Sequence, residues 1–336
     1  MKKLFLFAAI AILGLASCTD EQIEGNKNNP SKKIQFKTMV GKNSNLKATE
    51  LTTDGLKTNG FKVTALNTAS LTFGGNPYTS YFDNLLVSWN GTKWTNSGNY
   101  YWPEDDKLSF FAYGGDNVTL SATTPAFPSF NYTIGSTAAA QKDLVTAVSL
   151  NKTNSSDTLG LVFNHILTQI NFSIKGAVPV LIYIVKKIEI IGAKNSGTYT
   201  YSPTTGGWTA QAGVFNYTYF DGSTTPTTIP TNTVTFVSFG NGTGTAAAPI
   251  TGTEALMLMP QDNTGVQIKV TYDIQNPGGS FVKKDKVSTY TFVTPGTWNL
   301  GTKIRYNITL PVASNRIELS GTVSNWNDET GTGINL

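Results

Sequence analysis

The sequence predicts an all-β protein with two β-sandwich domains in tandem. Charged residues make up 14% of the 336 residues, against roughly 25% in an average soluble protein, and Thr, Ser, Asn and Gly take their place. Thr and the many aromatic residues favour strands, while Gly and Asn favour tight turns. At about 150 residues per domain, the length indicates two domains.

The N-terminus predicts an exported and lipidated protein. Lys2 and Lys3 precede an uncharged apolar run over residues 4–13, which is shorter than the ~20 residues that span a bilayer and has the length of a signal-peptide core. The tetrapeptide Leu-Ala-Ser-Cys that follows resembles a bacterial lipobox, and Cys18 is the only cysteine. We expect a signal peptide over residues 1–17 and an acylated Cys18 that inserts into outer-membrane lipid. The alternative is an ordinary secretory signal with a chance cysteine.

Strand signals recur along the first half of the mature chain. The Asn90-Gly91 pair between two apolar runs is a strong hairpin signal, and residues 41–60 predict a polar loop. A polar stretch at residues 151–158 predicts a domain boundary. The expected units are a tether over residues 18–33, an N-terminal domain over residues 34–155 and a C-terminal domain over residues 156–336.

The second half of the chain has the strand spacing of an all-β sandwich. Its longest strand signal covers residues 161–174, and turn residues separate nearly all of the later ones. No segment shows sustained helical periodicity. The later strand signals lie at residues 184–191, 198–201, 234–239, 254–259, 266–274, 287–293, 304–310 and 317–323.

Residues suited to catalysis or metal binding are sparse. His165 is the only histidine, and it shares a strand face with Phe163 and Leu167, which predicts a packed or capped side chain in preference to a catalytic relay. The acidic run at residues 104–106 predicts a solvated turn, because a calcium loop needs more oxygen ligands at regular spacing. We therefore predict no catalytic residue, no cofactor and no metal.

Charge and aromatic residues bear on the choice of partner. The formal charge of +4 falls to +2 without the two N-terminal lysines, and no basic run is interleaved with aromatics, so no nucleic-acid partner is expected. Four tryptophans lie beside strand signals, which favours core or edge packing over a carbohydrate platform. These four are Trp94, Trp102, Trp208 and Trp298. The tripeptide Asp157-Thr158-Leu159 resembles an O-glycosylation motif, with Thr158 as the candidate acceptor.

A set of landmarks runs in one order along the chain. They are the lipobox with Asp20 and Glu21 behind it, Ile34-Gln35-Phe36, Trp102 with residues 108–113, residues 161–167, residues 256–261, residues 298–310 and residues 323–326. The ordered set resembles the fimbrillin-like (Mfa-like) pilins, which are the subunits of type V pili in Gram-negative anaerobes. No one landmark is specific, but together they span residues 1–326.

The resemblance implies two transthyretin-like β-sandwich domains and a structural role. Such a protein is a pilus (fimbrium) subunit that reaches the outer membrane as a lipoprotein and serves cell adhesion. It assembles with other pilin subunits by strand exchange after a trypsin-like protease removes its N-terminal strand. The alternative is a surface glycan-binding lipoprotein that does not polymerise, whose tryptophans would form a flat exposed row. An enzyme would need a cleft holding two or more acids or His165.

Three segments carry the implied assembly. Residues 34–40 form the removable strand, Lys42 and Lys47 are the candidate cleavage sites, and residues 317–323 form the donor strand or complete the second sandwich. The apolar residues of the removable strand are Ile34, Phe36 and Val40, and those of the donor strand are Ile317, Leu319 and Val323.

The arginines depart from the family pattern. Arg305 and Arg316 are the only two, so an arginine-specific protease has no site near the N-terminus. Either a lysine-tolerant enzyme cuts the chain, or the strand stays in place. In the second case the protein is an anchor at the pilus base or a lipoprotein that does not polymerise.

Overall fold

The structure is a computed structural model that describes residues 32–41, 51–154, 158–229, 231, 235–239, 255–293 and 296–325. The predicted signal peptide, Cys18, Lys42, Lys47 and Trp326 lie outside the described residues. Within the described ranges, no helix is long and apolar enough to cross a membrane.

Strands dominate the described residues, which confirms the all-β prediction. Among them one α-helix, α1, spans Thr53–Asn59, and a 3-10 helix, η1, spans Ala138–Ala140. The strands are β1 Phe36–Val40, β2 Phe61–Asn67, β3 Thr79–Trp89, β4 Trp94–Asn96, β5 Leu108–Gly114, β6 Ser129–Thr133, β7 Val145–Lys152, β8 Leu159–His165, β9 Thr168–Gly176, β10 Ile182–Ala193, β11 Ser196–Thr200, β12 Gly207–Ala212, β13 Phe215–Asp221, β14 Thr227–Ile229, β15 Val237–Phe239, β16 Leu256–Leu258, β17 Gln261–Asp262, β18 Gln267–Gln275, β19 Phe281–Thr291, β20 Thr297–Trp298, β21 Thr302–Leu310 and β22 Glu318–Asn325.

One curved sheet encloses the first core. Its strand order is β1-β8-β7-β5-β2-β3-β4, so β1 and β2 would be ~19 Å apart in a flat sheet. The rings of Phe36 on β1 and Phe61 on β2 lie only 6.0 Å apart, because the sheet curls over on itself. The enclosed residues, here called the inner core, are Ile34, Phe36, Val40, Leu51, Leu56, Phe61, Val63, Ala65, Phe82, Val87, Trp94, Trp102, Leu108, Phe110, Ala112, Val145, Ala147, Leu159, Leu161 and Phe163.

A three-stranded sheet covers the outer face of the curved sheet. Its order is β12-β11-β6, and Tyr201 beside it packs edge-on against Phe111 on β5, with ring centroids 5.4 Å apart. Burial raises the pKa of Tyr201, so its hydroxyl stays protonated and donates to the Ala112 carbonyl at 2.9 Å. Because β6 and β11 come from opposite sides of the expected domain boundary, the two halves of the chain share this sheet.

The rest of the described chain forms a two-sheet sandwich. One sheet has the order β13-β10-β18-β19 with β14 beside β10, and the other has the order β15-β9-β21-β22 with β16 beside β9. Alternate residues of β18 and β21 are buried between them, as period-two strands require. The short β17-β20 pair holds Trp298, whose Nε1 donates to the Tyr306 hydroxyl at 2.8 Å.

The predicted loop over residues 41–60 contains α1, which corrects the sequence prediction. The Thr52 side chain accepts the N–H of Gly55 at 3.1 Å and caps the helix, and Gly60, at a φ of +76°, ends it. Only Leu56 of the seven helical residues is buried. One apolar residue gives no helical period, so the pattern of the sequence did not indicate this helix.

The single strand predicted over residues 161–174 is two strands, β8 and β9. They separate at residues 166–167, where the N–H of Ile166 donates to Leu144 and the carbonyl of Leu167 accepts from Gly301. β8 pairs within the curved sheet, although the sequence placed it in the C-terminal domain. The change of sheet therefore falls after the expected boundary at residues 155–156, and the division into two domains stays a prediction.

The four tryptophans beside the strand signals are buried or half-buried, and the acidic run lies at the surface. Trp94, Trp102 and Trp298 are buried, and Trp208 is half-buried, so these four form no flat exposed row. Residues 104–106 form a turn at the surface. In the described ranges, no group of three or more His, Cys, Asp or Glu side chains is placed to hold a metal.

Gly115 allows the chain around Asp143 to approach β5. A methyl group at Gly115 would lie 1.8 Å from the Asp143 carbonyl oxygen, and its φ is +108°. We expect Gly115→Ala to lower the free energy of unfolding by about 1–3 kcal/mol more than Gly75→Ala. Gly75 is the matched control, because its φ is +95° and no atom lies within 4 Å of the added methyl. Urea unfolding of both variants measures the difference, and equal losses would show that the contact with Asp143 does not matter.

Candidate strand-exchange site

Residues 32–41, here called the closing segment, lie at one edge of the curved sheet. Strand β1 within the segment runs parallel to β8. The N–H of Leu159 donates to the Gln35 carbonyl at 2.8 Å, and the N–H of Gly41 donates to the Phe163 carbonyl at 3.0 Å. These bonds add the closing segment to the β8 end of the sheet.

The opposite side of the closing segment bonds to the chain just after β4, the last strand at the other end of the sheet. The N–H of Ile34 donates to the Tyr100 carbonyl at 2.9 Å, and the N–H of Trp102 donates to the Lys32 carbonyl at 2.8 Å. Because one segment bonds to both ends of a curved sheet, it closes the inner core.

Three side chains of the closing segment point into the inner core. Ile34, Phe36 and Val40 are 2%, 6% and 8% exposed, and the Phe36 ring centroid lies 6.4 Å from that of Phe110. Full burial of such side chains is worth roughly 1.5–3 kcal/mol each. The space that the three fill, here called the groove, would be an open apolar channel without them.

Two other residues of the closing segment fit less well. The Thr38 hydroxyl is buried and has no hydrogen-bond partner among the described residues. Met39 lies on the outer face, 48% exposed, beside its parallel partner Val162, which is 50% exposed. The closing segment therefore packs well through Ile34, Phe36 and Val40, but not along its whole length.

Helix α1 forms the wall at one end of the groove. The Thr53 hydroxyl accepts the N–H of Val40 at 3.1 Å. The chain before the helix is held by Asp143, whose Oδ2 accepts the N–H of Leu51 at 2.7 Å and lies 2.9 Å from Nδ1 of His165. His165 is 3% exposed, which confirms the prediction of a packed histidine.

The predicted donor strand completes the second sandwich in this structure. β22 pairs antiparallel with β21, and Ile317 just before it is 1% exposed. Leu319 and Val323 are half-buried against the core of the sandwich. The structure places β1, the predicted removable strand, and β22, the predicted donor strand, at the edges of different sheets.

Residues 315–323, here called the donor segment, begin with a backbone bridge, as the closing segment does, but the bridge at Arg316 is parallel and the bridge at Lys33 is antiparallel. The carbonyl of Asn315 accepts from, and the N–H of Ile317 donates to, the backbone of Thr289. In the closing segment, the carbonyl of Lys32 accepts from Trp102 and the N–H of Ile34 donates to Tyr100, so the two bonds go to different residues. Each segment thus forms one bridge, centred on a cationic residue, and then enters a strand with its first buried isoleucine.

Thr158 lies directly before β8, where the closing segment begins to pair. It is half-buried, and the next residue, Leu159, donates its N–H to the closing segment. Glycosylation of Thr158 stays a prediction.

Replacing the unpartnered hydroxyl of Thr38 tests how the closing segment is held. We expect Thr38→Val to raise the free energy of unfolding of the uncut protein by about 1 kcal/mol, because an isosteric methyl needs no hydrogen bond. Thr64→Val is the matched control, since the Thr64 hydroxyl donates to Asp83 and accepts from the N–H of Asn84, and its loss should cost about 1–3 kcal/mol. Urea unfolding measures both, and destabilisation by Thr38→Val would contradict the structure at this residue.

Comparisons with known proteins give the family. The model of the family described as fimbrillin-like matches residues 48–326. Fimbrium subunit Fim1C of Phocaeicola vulgatus is 26% identical over 380 residues, which covers 98% of this chain and 98% of the relative.

A solved structure of a similar protein shares the fold. A fimbrial protein from Bacteroides vulgatus superposes with a TM-score of 0.58 at 21% identity, over 88% of this chain and 99% of its own. A proposed cell adhesion protein from Bacteroides eggerthii has a TM-score of 0.49 at 14% identity, over 88% of this chain and 96% of its own. The family match covers most of the chain and contains every described strand except β1. The chain belongs to the fimbrillin-like family.

Proposed function

We propose that this protein is a structural pilus subunit that reaches the cell surface as an outer-membrane lipoprotein and assembles by donor-strand exchange, serving cell adhesion. Its membership of the fimbrillin-like family and its likeness to a fimbrium subunit support this role. The observation that carries the proposal is the closing segment, an edge strand that fills the inner core. Residues 42–50 alone join it to the chain that follows.

The intact chain keeps its own strand in the groove. A segment joined to its site by a short connection has an effective concentration in the millimolar range, above that of a free partner strand. Phe36 also fills more of the groove than Leu319, its counterpart in the donor segment. A cut within residues 42–50 ends the intramolecular advantage, and the closing segment then leaves together with the acylated Cys18.

The donor segment of a second copy fits the emptied groove in one register. Its apolar residues have the same spacing as those of the closing segment, and a glycine stands where the closing segment buries an unpartnered hydroxyl. In this register Ile34 is replaced by Ile317, Phe36 by Leu319, Thr38 by Gly321 and Val40 by Val323. Main-chain hydrogen bonds then supply generic affinity, and the alternate side chains fill the groove.

Arg316 narrows the choice of processing protease. It is exposed and directly precedes Ile317, so an arginine-directed enzyme would detach the donor strand. The candidate sites after the closing segment are Lys42 and Lys47. We therefore infer that the trypsin-like protease that processes this subunit acts at lysine, which leaves the donor segment attached.

Cutting the purified protein briefly with a lysine-specific protease should start polymerisation. The reason is that the cut empties the groove and spares Arg316. N-terminal sequencing of the polymer should give a start at Asn43 or Ala48. The double variant Lys42→Gln/Lys47→Gln should stay uncut and monomeric under the same conditions. Polymers of uncut chains, or a polymer whose N-terminus is an acylated Cys18, would contradict the proposed processing.

Ending the chain after Arg316 should stop polymer growth, because the subunit keeps a groove and loses its donor strand. Since β22 also completes the second sandwich, Leu319→Asp is a milder variant. Leu319 is half-buried in its own sandwich and would be fully buried in the groove. We expect Leu319→Asp to shorten polymers at least tenfold, while Ser320→Asp, exposed in both places, leaves them unchanged. Polymer length in electron micrographs measures this, and normal polymers of Leu319→Asp would rule out a donor role.

A further inference from the structure

The ring of Phe36 packs against aromatic side chains of β2 and β5. Its centroid lies 6.0 Å from that of Phe61 and 6.4 Å from that of Phe110, and both pairs meet edge-on at an interplanar angle of 84°. Edge-to-face aromatic pairs contribute more than the apolar area that they bury. The space that this ring fills, here called the Phe36 site, therefore suits an aromatic side chain better than an aliphatic one.

The aromatic walls of the Phe36 site are held by contacts that do not involve the closing segment. The ring of Phe61 packs edge-on against Phe163 on β8, with centroids 5.2 Å apart. The ring of Phe110 packs edge-on against Trp102, with centroids 5.6 Å apart. These four residues belong to the chain after residues 42–50, so they stay with the subunit when the closing segment leaves. The emptied groove therefore keeps an aromatic site.

The side chains of an entering strand distinguish its registers, although its backbone does not. Every residue except proline offers a backbone N–H, and a slip of two residues keeps the same face toward the groove. In the register given above, the Phe36 site receives Leu319. A slip of two residues toward α1 brings Ile317 to the site, and a slip in the other direction brings Gly321, which has no side chain to fill it. Each register thus puts a different residue in the Phe36 site.

A slip toward α1 also fits poorly at the two ends of the groove. Asn315 would take the place of Ile34, which is 2% exposed, and burial of an amide without a hydrogen-bond partner is unfavourable. Gly321 would take the place of Val40, which is 8% exposed, and would leave that space unfilled. In the register given above, an isoleucine and a valine replace an isoleucine and a valine. The fit in that register is poorest where a leucine replaces an aromatic ring.

We propose that the Phe36 site is the specificity-determining position of the groove, and that it binds a strand with a phenylalanine there more tightly than the donor segment of a second copy. This inference rests on the proposed strand exchange. Leu319 has no ring to meet Phe61 or Phe110 edge-on, and it fills the site incompletely. A strand from another pilin subunit with an aromatic residue at the same position would therefore displace the strand of a second copy.

Fluorescent peptides of the donor segment test the Phe36 site without a change in the groove. The acceptor is the full-length Leu319→Asp variant after the lysine-specific cut, because its own donor segment does not fit the groove. Leu319→Phe in the peptide should lower the Kd roughly 3- to 30-fold. Ile317→Phe is the matched control, because it adds the same ring where the groove held an isoleucine, and overpacking should raise the Kd at least about 3-fold. Fluorescence anisotropy measures both, and a retained closing segment competes equally with every peptide.

The outcomes separate this inference from the proposed function. A Leu319→Phe peptide that binds no more tightly than the natural one would overturn the role of the Phe36 site and leave strand exchange standing. Tighter binding of the Ile317→Phe peptide, with weaker binding of the Leu319→Phe peptide, would show a strand slipped toward α1 and would overturn the register on which the inference depends. If no donor peptide binds to folded acceptor that does bind a peptide of residues 32–41, strand exchange itself is overturned.

Discussion

The closure of one curved sheet by a segment at its edge is the constraint on which the rest of the structure depends. A sheet that curls over its own side chains still has two ends, and a core between them stays open unless a strand bonds to both. Residues 32–41 do this through β8 on one side and through Tyr100 and Trp102 on the other. The segment that fills the inner core is therefore also the strand that a second copy would replace in the proposed assembly.

The donor segment is nearly as well placed in its own sandwich as it would be in the groove. Ile317 is buried in the sandwich, whereas Leu319 and Val323 are half-buried and would gain burial in the groove. When the donor segment leaves the sandwich, however, β21 loses its pairing with β22 and its edge becomes open. Full burial of one such side chain is worth roughly 1.5–3 kcal/mol, and in the proposed exchange the backbone bonds lost to β21 are replaced by bonds to β8, so neither arrangement is favoured by a wide margin. In the proposed assembly, an empty groove, which loses three apolar side chains at once, shifts the balance, and the cut in the chain is then the deciding step.

The sequence predicted the features that depend on local pattern. Ile34, Phe36 and Val40 were identified because strand alternation is local, and the burial of His165 followed from its position between Phe163 and Leu167. Features set by distant contacts were not accessible. The bond from Leu51 to Asp143 joins residues 92 apart, and the pairing of β8 with β1 depends on closure of the sheet. Helix α1 is too short for a helical period, so the sequence predicted a loop in its place.

The two halves of the chain are joined by more than the peptide bond where the sheets change. The shared sheet β12-β11-β6 adds contacts across the junction, including the Trp208 Nε1–Ile166 carbonyl bond at 2.6 Å and the Thr146–Tyr199 hydroxyl pair at 3.1 Å. In the proposed polymer, a pulling force is transmitted through each subunit from the groove to the donor segment of the sandwich. A single connection at residues 166–167 would act as a hinge under that tension. Because several bonds cross the junction side by side, a pull on the polymer must break them together before the halves separate.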